Sequence, residues 1–121
     1  MPHLTIEISS NLKPLLSADA LLDDAHQALL TSGVFEASDV KSRLAWRDAF
    51  RVGHHGTAEG FVHASLELLA GRTEAVKQQL SNAVAAALAG SFPRKVGFAV
   101  QVSCEVRDMN RESYAKAVHN E

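Results

Sequence analysis

The chain has a single cysteine, Cys104, among its 121 residues. It therefore forms no internal disulfide and no cysteine-rich metal site, and a lone thiol fits a reducing compartment. No apolar run approaches the roughly 20 residues that a membrane-spanning helix requires. The opening MPHLTIEISS also lacks the basic leader and apolar stretch of a signal peptide, so the expected location is the cytoplasm. Positive charge is not in excess: 12 Lys and Arg stand against 14 Asp and Glu, with a formal charge of -2. That balance excludes the broad basic field of a nucleic-acid binder and leaves room only for a local anion site. Low-complexity tracts are missing as well, and a hydrophobic share of 46% with a charged share of 21% is ordinary for a folded soluble chain. The length predicts one domain over residues 1–121, of a size at which self-association adds useful buried surface.

What is present is a clear alternation of patterns. Pro2, Leu4, Ile6 and Ile8 share one parity against His3, Thr5 and Glu7, which predicts a half-buried strand. From Ser17, a candidate N-cap, Ala18, Leu21, Leu22, Ala25, Ala28 and Leu29 recur at helical spacing until Ser32-Gly33. Period-two alternation returns from Val40 to Val52, with Lys41, Arg43, Arg47 and Arg51 on one parity. After the glycine-flanked loop 53–57, Phe61 to Leu68 reads as a third strand. Thr73 is placed to cap a second helix whose apolar stripe is Val76, Leu80, Ala83, Val84, Ala87 and Leu88. Phe98 to Val106 gives a fourth strand, with Cys104 on its apolar parity. The tail 110–120 is expected as a short helix or as a segment pairing with a neighbouring subunit.

This order is strand, helix, strand, twice over. The expected class is α+β, a doubled β-α-β unit forming a four-stranded sheet with both helices on one face. The other face has no covering layer within the chain, and its apolar side chains are expected to drive association through the sheets.

Proline in second position bears on chemistry. An initiator methionine before proline is usually removed, leaving a secondary amine. Burial or nearby cations lower the pKa of an α-amine from its usual value near 8, and a neutral amine serves as a general base. Many chains begin Met-Pro without catalytic purpose, so the dipeptide needs its neighbours. MPHLTIE, GVF at Gly33 to Phe35, KSR at Lys41 to Arg43 followed by Trp46, FVH at Phe61 to His63, and LLAGRT ending at Thr73 together resemble the 5-carboxymethyl-2-hydroxymuconate isomerase family of the tautomerase superfamily.

The resemblance implies a trimer with active sites near subunit interfaces, no metal and no organic cofactor. It implies ketonisation of a polycarboxylate dienol in the homoprotocatechuate branch of aromatic catabolism. The family's terminal proline falls on Pro2 and the arginine of its Gly-Arg turn on Arg72, as the catalytic pair. Its Arg-Ser-Arg pattern reads Lys41, Ser42, Arg43 here, so Lys41 and Arg43 become the substrate-binding cations. Lysine keeps the charge but loses the planar fork that grips a carboxylate with two parallel hydrogen bonds.

The physical roles match these types. A polycarboxylate needs fixed cations, and an arginine beside the reacting carbonyl stabilises the oxygen on which negative charge develops. The plainer alternatives are a solvent-facing arginine at a helix start for Arg72 and a solvated strand face or a subunit ion pair for Lys41 and Arg43. Arg47 and Arg51 read as structural. His54 and His55 lack a metal-ligand pattern. His63 either lines the pocket or is satisfied at an interface, and Cys104 reads as a small buried residue. Two other functions fit the same residues: a phenylpyruvate-like tautomerase, and a noncatalytic trimeric binding protein that keeps the fold.

Overall fold

The computed structural model describes residues 1–120. Strand β1 (His3–Ser9) leads through a short turn to helix α1 (Ala18–Thr31), then strands β2 (Lys41–Arg47) and β3 (Gly60–Leu69), helix α2 (Glu74–Gly90) and strand β4 (Val100–Met109). The four strands form one sheet in the order β2-β1-β3-β4. β1 runs parallel to β2, and β3 parallel to β4, while β1 and β3 meet antiparallel at the centre. The two strand-helix-strand halves expected from the pattern are thus joined along their first strands.

Both helices start where the sequence places them. The Ser17 hydroxyl accepts the Ala20 amide, and the Thr73 hydroxyl accepts the Val76 amide, each satisfying a donor that the first helical turn leaves without a partner. The stripes face the sheet: Leu21, Ala25 and Leu29 from α1, and Leu80, Val84 and Leu88 from α2, are buried against Leu4, Ile6, Ile8, Val62, Ala64, Leu66 and Leu68. Every even-numbered side chain from Leu4 to Ile8 in β1 and from Val62 to Leu68 in β3 is therefore core. Leu66→Ala should lower the unfolding free energy by about 3 kcal/mol, since a fully buried leucine leaves both lost transfer energy and a cavity. Denaturant unfolding at fixed protein concentration measures it.

Three expectations need correction. β2 ends at Arg47, not Val52, because its partner β1 ends at Ser9 opposite Arg47. Beyond that rung no ladder remains, so Phe50 and Arg51 lie in the following loop, where Phe50 packs edge-on against Phe61 with ring centroids 6.1 Å apart. β4 begins at Val100 and continues through Met109, because Leu68 and Leu69 of β3 supply partners for Asp108 and Met109. Of the two readings of the tail, the short helix is not formed: after one turn at 111–113 it runs without regular structure to Asn120.

The uncovered sheet face is also more polar than expected. The register aligns His3, Thr5 and Glu7 with Lys41, Arg43, Ala45 and Arg47 on one side and with Phe61, His63, Ser65 and Glu67 on the other. Gln101, Ser103, Glu105 and Arg107 of β4 continue it. Several pair across strands: Arg47 donates to Glu7 at 2.7 Å, and His63 Nδ1 lies 2.7 Å from the Ser103 hydroxyl. No helix among the described residues is long and apolar enough to cross a membrane.

Candidate active site

The amino terminus is fixed by the first rungs of the sheet. Pro2 is buried at the head of β1, and its carbonyl accepts the Lys41 amide at 3.0 Å. That bond seats Lys41, the first residue of β2, beside the terminus. The Met1 amine donates to the Asp39 carbonyl at 3.2 Å, and the Lys41 ammonium donates to the same oxygen at 2.7 Å. Met1 Sδ accepts the Leu69 amide at 3.4 Å. The first residue thus spans from the entry of β2 to the end of β3.

Electrostatics follow from this packing. The terminal ammonium is pulled down from 8.0 to about 6, first by burial, then by the hydrogen bonding and charge of Lys41, with Lys116 adding and the Asp39 carboxylate opposing. Lys116 reaches Asp39 Oδ1 at 3.2 Å from the C-terminal tail, and this bond and charge hold the Asp39 carboxyl below its ordinary range.

Lys41 and Arg43 share the open face with His3, as their common parity requires. Arg43 Nη2 donates to His3 Nδ1 at 3.0 Å. An arginine only donates, so His3 accepts at Nδ1 and carries its proton on Nε2. Burial, and then the Arg43 charge, hold the His3 pKa below its usual value. Ser42 points the opposite way, 2.9 Å from His26 Nδ1 on α1.

Arg72 follows the end of β3. Because β3 is antiparallel to β1, its end and the head of β1 lie at the same margin of the sheet. The turn there depends on Gly71, whose φ of +126° is a conformation that residues with a Cβ rarely adopt. The Arg72 guanidinium carbon sits 5.3 Å from the centre of the Phe35 ring, a cation–π contact, so the GVF segment supplies its platform. Arg72 Nε is buried without a hydrogen-bond partner among the described residues. A buried donor without an acceptor is costly.

The structure thus brings Pro2 and Lys41 into contact, sets Arg43 two residues along the same strand face, and places Arg72 at the same margin. His63 lies several rungs away, held by Ser103 with Glu105 3.7 Å from Nε2. His55 Nε2 is 3.7 Å from Glu59 in an exposed loop. Burial and Glu105 push the Cys104 thiol up to about 12, so it is not a thiolate at neutral pH. The sequence reading missed Asp39, Lys116 and His3. Asp39 and Lys116 carried no pattern, while His3 sat in the quoted MPHLTIE without a role.

The sequence matches the family model for 5-carboxymethyl-2-hydroxymuconate isomerase over residues 2–120. It is similar to the curated 5-carboxymethyl-2-hydroxymuconate Delta-isomerase of Escherichia coli, with 31% identity over 81 residues. That match takes in 65% of this chain and spans 63% of the relative's own length. Among solved structures, a 5-carboxymethyl-2-hydroxymuconate delta-isomerase superimposes with a TM-score of 0.86 at 23% identity, covering 99% of this chain and 89% of the other. A fused 4-OT solved as a wild-type symmetric trimer gives 0.74 at 24% identity, covering 95% and 91%. The two structural likenesses establish the fold. With that fold shared and the family match running from Pro2 almost to the last residue, the chain belongs to the 5-carboxymethyl-2-hydroxymuconate isomerase family.

Proposed function

We propose that this chain is a cofactor-independent isomerase that ketonises 5-carboxymethyl-2-hydroxymuconate or a similar polycarboxylate dienol, with Pro2 as its proton shuttle once Met1 has been removed. The supporting observation is the amino terminus itself: an α-amine whose pKa falls to about 6 because it is partly desolvated beside Lys41. Loss of Met1 moves the free amine to Pro2, whose carbonyl is already fixed to Lys41. A neutral secondary amine there takes the proton from the enol hydroxyl and returns it to a distant carbon, so the transfer balances within the substrate. Lys41 and Arg43 hold carboxylates, and Arg72 stabilises the negative oxygen of the intermediate. The cytoplasm and a homotrimer assembled in the manner of the fused 4-OT structure complete this reading.

The pH dependence tests it. The base works when unprotonated, so kcat/KM for enol decay, followed by ultraviolet absorbance, should rise with pH and level off below the ordinary 8.0 of an α-amine, the direction in which burial and Lys41 push the terminus. A rise centred on the ordinary 8.0 would contradict a base held in this environment. Comparing tricarboxylate with monocarboxylate enols separates the proposed substrate from a phenylpyruvate-like one.

A second reading has its own observation. With Met1 in place the Pro2 nitrogen is a tertiary amide without a basic lone pair, and Met1 is bonded at both its amine and its sulfur. Retention of Met1 would favour a noncatalytic binding protein of the same fold. Intact mass of the protein from its native host decides between them.

A further inference from the structure

The C-terminal segment returns to the margin of the sheet where the amino terminus lies. It is anchored there at two points. Just after β4, Arg111 Nε donates to the Ala70 carbonyl, and its guanidinium lies against Gly71, where an added Cβ would stand 3.6 Å from Nε. That contact is next to Arg72. Five residues on, Lys116 Nζ meets Asp39 Oδ1 at 3.2 Å, while the main-chain carbonyl of the same Asp39 holds both the Met1 amine and the Lys41 ammonium. Nothing in the secondary structure of the tail requires this path, since residues 114–120 have no regular hydrogen bonding.

We propose that the tail forms a strap across the candidate site and that Lys116 is a further carboxylate-binding residue of it, setting the preference for substrates with more than one acidic group. The inference rests on the proposed isomerase reading and adds a residue to it. The chemistry is that of an ammonium with donors to spare: Lys116 spends one on Asp39 and has others free. Lys41 is in the same position, with one donor on the Asp39 carbonyl. Asp39 therefore holds two lysines, one from β2 at its main-chain carbonyl and one from the tail at its carboxylate. The charge of Lys116 is felt at the terminal amine, where it helps to lower the pKa. A substrate with one carboxylate is served by Lys41 and Arg43. A second or third acidic group needs another cation, and the strap supplies it.

The test compares the wild type with Lys116→Ala and Lys116→Arg. For a tricarboxylate enol, Lys116→Ala should raise KM by about tenfold, the loss expected for one charge-assisted hydrogen bond, with kcat within about twofold. Lys116→Arg should restore KM to within about threefold, and KM for a monocarboxylate enol should not move in either variant. An unchanged tricarboxylate KM in Lys116→Ala overturns the proposal, as does an equal rise for both substrates. If the wild type turns over no enol at all, the isomerase reading fails separately. Calorimetric titration with propane-1,2,3-tricarboxylate then still reads the strap: binding by the wild type that weakens about tenfold in Lys116→Ala upholds it, and no binding by the wild type, or equal binding by both, overturns it.

Discussion

Pro2→Ala should lower kcat/KM for the polycarboxylate enol by about a hundredfold, within the usual contribution of a positioned general base. The loss is incomplete because alanine also offers a terminal amine after Met1 is removed. That amine is primary and sits on a freer backbone, whereas proline fixes φ and aims its nitrogen. A chain that keeps any residue ahead of Pro2 should lose all activity above background, since the nitrogen is then an amide. The measurement is the initial rate of enol decay, with intact mass confirming the terminus of each variant. Equal rates for the wild type and Pro2→Ala would remove Pro2 from the mechanism.

Arg72→Ala carries the second large effect. A donor aimed at a developing oxyanion is worth about 10²- to 10³-fold in kcat, and Arg72 is the cation proposed for that oxygen. Lysine has no equivalent donor at that position along the side chain, so Arg72→Lys should recover little of the loss. Stability should fall only slightly, by about 1 kcal/mol, the scale of the cation–π contact with Phe35. A variant that unfolds much more easily than this, or that changes KM while kcat stays constant, would assign Arg72 to structure or to ground-state binding instead. Thermal unfolding and steady-state kinetics on the same preparation distinguish these outcomes.

The parts of the fold legible in the sequence are those governed by local rules. Ser17 and Thr73 are caps because a hydroxyl at that position meets an unpaired amide, which depends on only a few neighbouring residues. The alternation in β1 and β3 was legible for a similar reason: one face of each is fully buried beneath the helices. The end of β2 was not, because a strand stops where its partner stops, and Ser9 is distant in sequence from Arg47. The same holds for the tail, whose path depends on Asp39 and Ala70.

The candidate site divides along the same line. Pro2, Lys41, Arg43 and Arg72 belong to short motifs and stood out through resemblance. Their surroundings did not: that His3 accepts from Arg43, or that Asp39 joins the terminus to two lysines, is a product of register and of chain return. Polarity of the open face ran against the expectation of apolar side chains there, and its density of cross-strand pairs appears only when the strands are aligned. Glu7 with Arg47 and His63 with Ser103 and Glu105 are pairs formed by the sheet.

The connection of the strands has a consequence for how the chain reaches this state. Neither parallel ladder is able to form as a hairpin: His3 meets Lys41, and Gly60 meets Val100, only after an intervening helix has crossed over. Such distant pairings are slow to assemble, and a nascent chain meanwhile displays half-built strands to every other copy being synthesised. Side chains such as Glu7, Arg47, Glu67 and Arg107 on the bare side of the sheet discourage those copies from stacking or zippering prematurely. The polar surface would then protect the protein during its own biosynthesis.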